Sequence, residues 1–170
     1  MTRQELLDRL TTIEWDDFEV KESRSELPKN IWETVSAFSN TAGGWIVLGV
    51  AQKGGQYKIV GLDNPEKIEQ DFYSTLRGSQ KFNAPIDAII TRFDIDGKIV
   101  FAIYIPLSSQ KPVYFNSLQN TFIRNGSGDQ RATEYERNAM FRNQSFGMMS
   151  GKVVPETSFS DLNKSSFESY

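Results

Sequence analysis

Glu14 and Glu19 stand five residues apart in Ile13-Glu14-Trp15-Asp16-Asp17-Phe18-Glu19-Val20-Lys21. Carboxylates gathered near a lysine are the residue types that hold a divalent metal for phosphodiester hydrolysis. The plainer reading is a solvated strand edge, because Phe18 and Val20 alternate with Glu19 and Lys21 and leave one face charged. A regular strand would point Glu14 and Glu19 to opposite faces, so they share a site only where the chain bends between them. A second candidate lies far along the chain. Arg124 leads into Asn125-Gly126-Ser127-Gly128, where successive backbone N–H groups could form an anion-binding nest. Arg131, Arg137 and Arg142 add a local basic excess, so this region is a phosphate-binding candidate; its plainer reading is a glycine-rich turn before a charged surface helix. The Lys-Ser/Thr pair of a phosphate loop is missing, so the Gly-Ser pattern is no evidence for a nucleoside triphosphatase.

Composition narrows the chemistry further. The 170 residues contain no cysteine and no histidine, which excludes disulfides, thiolate metal sites and the Ser–His and Cys–His nucleophile systems. Catalysis would have to run on carboxylates, lysine, tyrosine or a carboxylate-bound metal. A net charge of −3 argues against indiscriminate nucleic-acid binding but allows a local basic patch. No apolar run approaches the roughly 20 residues of a spanning helix, and the N-terminal residues do not read as a signal peptide. No membrane contact and a cytoplasmic place are therefore expected.

The elements that must position these residues centre on 31–50. Ile31, Val35 and Phe38 recur with a helical period, and Gly43-Gly44 then breaks it. Trp45 to Val50 follows as a short apolar run, which predicts a strand buried on both faces. Gly43-Gly44 reads as the helix stop, with a nucleic-acid contact as an added role. Thr2 and Glu5 predict a capping box for a first short helix, and Pro28 the first turn of the central one. Gly54-Gly55 predicts a hairpin and Asn64-Pro65 a helix start, with Ile68, Phe72 and Leu76 on one face and an end near Gly78. Strands are expected over 86–95 and 98–105, joined at Asp96-Gly97, the second buried on both faces. Shorter extended pieces are expected at 112–115 and 120–124, and a capping box at Thr133 and Glu136 predicts a last helix to about Arg142. Past Gln144 the chain reads as loose. The fold class is α+β, a mixed β-sheet packed by two or three main helices. The expected division is a domain over 1–143, with 144–170 a linker or the start of a truncated C-terminal region.

Five segments in this order, FEVKES, SAFSNTAGGWIVLGV, IVGLD, IPLSSQKPVYF and FIRNGS, resemble the Schlafen AlbA-type domain, over roughly 14–142. The resemblance implies a compact α+β domain that serves as a DNA-binding module of bacterial transcriptional regulators. Such domains usually form the N-terminal part of a longer protein with ATPase-like and winged-helix regions. Under this reading Lys111, Arg124 and the nest at Gly126 and Ser127 hold phosphates of DNA or RNA, with Asn40, Gly43 and Gly44 contributing at the glycine turn. The resemblance, with exposed-looking aromatics at Trp15, Trp32 and Phe115, also suggests a two-fold homodimer.

Schlafen members with RNase activity carry three acids: two glutamates five apart ahead of the central helix, and an aspartate in the turn before the double glycine. The resemblance puts Glu14 and Glu19 on the first two positions, with Lys21 just after, and Ala42 on the third. A methyl group cannot ligate a metal, so binding without catalysis is the leading expectation, with no metal site and no cofactor. The alternative is a metal-dependent nuclease using Glu14, Glu19 and Lys21, with Asp16 or Asp17 standing in for the missing acid.

Overall fold

The computed structural model describes residues 1–11, 17–78, 80–126 and 128–153. Helix α1 (Arg3–Leu10) opens the chain, with Thr2 and Glu5 forming the expected capping box. Strand β1 (Phe18–Lys21) follows, then helix α2 (Ile31–Asn40) and strand β2 (Gly44–Leu48), which pairs with β1 in parallel. Parallel neighbours need a crossover, and α2 provides it. Helix α2 begins later than Pro28 suggests: the side chain of Asn30 does not cap it but accepts a hydrogen bond from Lys21 Nζ.

At Gly49, with φ +101°, the predicted strand over Trp45–Val50 divides. A Cβ there would lie 3.0 Å from the Ile99 carbonyl oxygen, so the glycine lets the chain leave the sheet. Strands β3 (Val50–Lys53) and β4 (Gln56–Ile59) then form a separate hairpin around Gly54-Gly55, as the turn residues predict. Helix α3 (Pro65–Arg77) starts with Asn64 capping Lys67 N and ends at Gly78. Strand β5 (Ile89–Ile95) is shorter than expected at its start; strand β6 (Lys98–Ile105) has the predicted bounds.

The sheet order is β1-β2-β6-β5, so β2 and β6 are interior, and the β1–β2 pair makes an otherwise antiparallel sheet mixed. Their apolar side chains divide by parity. Ile46, Leu48, Phe101, Ile103 and Ile105 pack with Ile31, Val35 and Phe38 of α2 and Ile68 and Phe72 of α3. Val47 and Val100 pack on the opposite face with Leu6 of α1, Phe18 and Val50. Two apolar faces explain why these strands read as unbroken apolar runs.

Strands β7 (Phe122–Asn125) and β8 (Gly128–Arg131) form a hairpin, which turns at the segment read as a nest. The chain divides into two compact units, the first Met1–Thr133, the second beginning at Glu134. The second contains helix α4 (Glu134–Val153), which runs well past the predicted end near Arg142. Gly147 and Gly151 lie within it; a glycine costs a helix only about 1 kcal/mol relative to alanine, too little to stop it.

Gly44 shows how tightly α2 is held to the sheet. A Cβ there would fall 2.7 Å from the Phe38 ring and 2.9 Å from the Asp17 carbonyl oxygen. Gly44→Ala should therefore destabilise the domain by about 1–3 kcal/mol through overpacking. A shift of the urea midpoint to lower concentration with an unchanged slope would show it. An unshifted midpoint would mean that Phe38 yields freely.

Candidate functional site

Glu19 and Lys21 pair in register with Ile46 and Leu48 and therefore point to the face that α2 covers. Their place at the sheet edge is not the solvated one that a charged strand face suggests. Lys21 is buried, with Nζ 3.1 Å from Asn30 Oδ1 and 3.8 Å from Glu19 Oε2. The other oxygen of Glu19 lies 2.8 Å from Arg124 Nη2, and Arg124 Nη1 lies 2.7 Å from Asp129 Oδ1. Thr34 of α2 donates to the second Asp129 oxygen. The Arg124 guanidinium also rests 5.0 Å above the Phe38 ring, and its backbone N–H donates to Thr41 Oγ1. Burial by itself would lower the pKa of Arg124, but the carboxylates of Asp129 and Glu19 outweigh it and raise the pKa.

This arrangement joins β1, α2 and the β7–β8 hairpin through one guanidinium. It also bears on metal binding. Both oxygens of Glu19 face cations of the protein itself, and Ala42 offers no side-chain donor. Asp17, a candidate substitute, pairs with Arg9 at 3.3 Å. Glu14 and Asp16 lie outside the described residues, and among the described residues no group of three acids could hold a metal. The described members of this donor set, Asp17 and Glu19, are each engaged by cations of the protein.

The residues expected at a nucleic-acid contact are dispersed. Asn40 is buried: Nδ2 donates to the carbonyl oxygens of Val113 and Phe122, each at 2.9 Å, and Oδ1 accepts from Val113 N at 2.7 Å. Gly43, with φ +73°, ends α2 by donating to the Phe38 carbonyl, and a Cβ there would meet the Ile105 oxygen at 2.9 Å. Gly43, Gly44, Asn40 and Arg124 thus make internal contacts. Lys111 is half-buried, and Gly126, with φ +64°, sits in open space at the tip of the β7–β8 hairpin. Ser127 lies outside the described residues.

Two sets of residues escaped the sequence reading. Asp129 faces Arg124 directly across the hairpin, and reading Gly126-Ser127 as a two-residue turn would have paired them. The other is Lys81 with the aromatic rings beneath it and beneath Arg131, whose own charge belongs to the basic excess read from the sequence. Lys81 Nζ lies 5.8 Å from the Trp32 centroid and 5.5 Å from that of Phe115, and the Arg131 guanidinium lies 4.9 Å from that of Phe122. Trp32 and Phe115, expected to be exposed, are half-buried and packed against the core.

A mixed sheet under two helices, with a guanidinium bridging two carboxylates at its edge, defines a small α+β module. Residues 14–133 match the family described as Schlafen, AlbA_2, and the chain belongs to that family. Among curated proteins, none matches it. It is similar to the N-terminal domain of an ATP-dependent DNA helicase RecG-related protein from Nitrosomonas europaea, known from a solution NMR structure. The two share 29% identity over 76% of this chain and 92% of that domain, with a TM-score of 0.58. A crystal structure of a Corynebacterium diphtheriae protein shares the fold at 20% identity and a TM-score of 0.52, over 76% of this chain. The chain spans 27% of that second protein.

Proposed function

We propose that this chain is a nucleic-acid-binding module of a transcriptional regulator, without hydrolytic chemistry of its own. Membership of the Schlafen AlbA_2 family and likeness to a domain of a helicase-related protein support the nucleic-acid part of this reading. The observation that favours binding over cleavage is the engagement of Glu19, whose two oxygens already face Lys21 and Arg124. A nuclease would need that carboxylate free for a metal, and a partner acid where Ala42 stands. The open tip at Gly126 and the half-buried Lys111 remain as phosphate contacts.

The test is to incubate end-labelled single-stranded DNA, duplex DNA and RNA with the chain in magnesium, in manganese and in EDTA. Binding is expected in all three conditions, with every strand recovered at full length. Cleavage that needs metal and disappears in Glu19→Gln would overturn the reading.

A further inference from the structure

Six rings of the first unit stand in an unbroken series, Tyr73, Phe72, Trp32, Phe82, Phe115 and Phe122, with neighbouring centroids 5.4 to 6.0 Å apart. Burial alternates along it. Phe72, Phe82 and Phe122 are buried, whereas Tyr73, Trp32 and Phe115 are half-buried. Three cations lie over the series: Arg77 6.0 Å from Tyr73, Lys81 between Trp32 and Phe115, and Arg131 over Phe122.

These cations differ from the ion-paired basic residues of the chain in having rings and no acid as neighbours. Arg9, Arg24, Lys67, Arg92 and Arg124 each have a carboxylate within ion-pair distance. Among the described residues, Arg77, Lys81 and Arg131 have none. Arg131 is further fixed by donating to the Gln119 carbonyl at 2.6 Å and to Asn120 Oδ1 at 2.8 Å. A ring quadrupole holds a cation in place without neutralising its charge. Positive charge kept in order beside half-exposed aromatic surface is the combination that single strands use, phosphates on the cations and bases against the rings.

We propose that this strip is the track for a single strand of nucleic acid, with phosphates on Arg77, Lys81 and Arg131 and bases against the exposed edges of Trp32 and Phe115, whose faces are taken by Phe72, Phe122 and Lys81. The inference rests on the nucleic-acid reading above and gives it a substrate class and a surface. An acidic peptide would satisfy the cations alone and gain little from the rings.

The test is anisotropy of a labelled oligothymidylate with the full chain, titrated at several salt concentrations. Each phosphate contact on a single strand contributes about −0.7 to the slope of log K against log salt. Lys81→Gln with Arg131→Gln should therefore make the slope shallower by about 1.4 and weaken binding about 25-fold at about 0.1 M salt. Arg131→Lys, which keeps the charge, should keep the slope, and Lys53→Gln on the β3–β4 hairpin should change nothing. Melting curves for each variant identify any loss due to unfolding, in which case Lys81→Gln alone decides the matter through its slope. Unchanged affinity and slope in the folded variants would overturn the track while leaving nucleic-acid binding in place. Failure of the unmodified chain to bind any strand would overturn both. Displacement by polyglutamate as readily as by unlabelled oligothymidylate would assign the strip to acidic protein partners and overturn the proposal.

Discussion

Replacing Arg124 with alanine should lower the unfolding free energy by about 3–5 kcal/mol, the usual penalty for removing one partner of a buried ionic group. The side chain is only 3% exposed and sits between Glu19 and Asp129. Without it, two carboxylates face each other in a site that water reaches poorly, and the hairpin loses its tie to β1. Whole domains are stable by only about 5–15 kcal/mol, so the loss should be plain in urea denaturation. Combining Arg124→Met with Asp129→Asn should recover part of it, since the Arg124–Asp129 pair is then removed together and Glu19 still faces Lys21. A change below about 1 kcal/mol for Arg124→Ala would place this residue among exposed ion pairs instead. The same variant gives a warning. Loss of nucleic-acid binding by Arg124→Ala, the obvious choice from sequence, would report a damaged domain rather than a lost phosphate contact.

Asn40→Ala should cost about 2–5 kcal/mol. Val113 N–H and the Phe122 carbonyl each lose a buried partner at Asn40, and an unsatisfied buried group costs about 1–3 kcal/mol. The Val113 carbonyl keeps the hydroxyl of Ser36, which limits the damage. Asn40→Asp is the more informative change. It preserves shape and the acceptor for Val113 N–H but sets a carboxylate oxygen against two carbonyls, so it should destabilise at least as much as alanine. If Asn40→Asp proved neutral in urea denaturation, Asn40 would not be the staple between α2 and the segment reaching Phe122.

Much of the architecture was legible because local chemistry determines it. The apolar runs around Ile46 and Ile103 placed the interior strands, and Gly54-Gly55, Asp96-Gly97 and Asn64-Pro65 placed turns and a helix start. What failed to show depends on distant partners. Gly49 splits its strand because the Ile99 carbonyl lies close, which no window around Gly49 contains. Arg124 looked like a phosphate ligand because a sequence displays its charge but not whether an acid meets it inside the fold. Its partner Glu19 comes from the opposite end of the domain. Lys81 passed unnoticed, and Arg131 showed only as part of a basic excess, for the same reason: the rings that hold them come from α2 and from the segment around Phe115 and Phe122. The end of α4 was missed on weaker grounds, since glycines discourage a helix without forbidding it.

Binding without catalysis is tested most directly by one titration of the unmodified chain against a labelled single strand in EDTA, with the strand recovered afterwards in manganese. With Lys111 and the three cations of the strip in contact the slope of log K against log salt should be about −2.8, so affinity should fall about 50-fold between roughly 50 and 200 mM salt. The strand should be recovered intact. Binding that appears only with a divalent metal, together with shortened strands, would contradict this and make Glu19 a metal ligand after all.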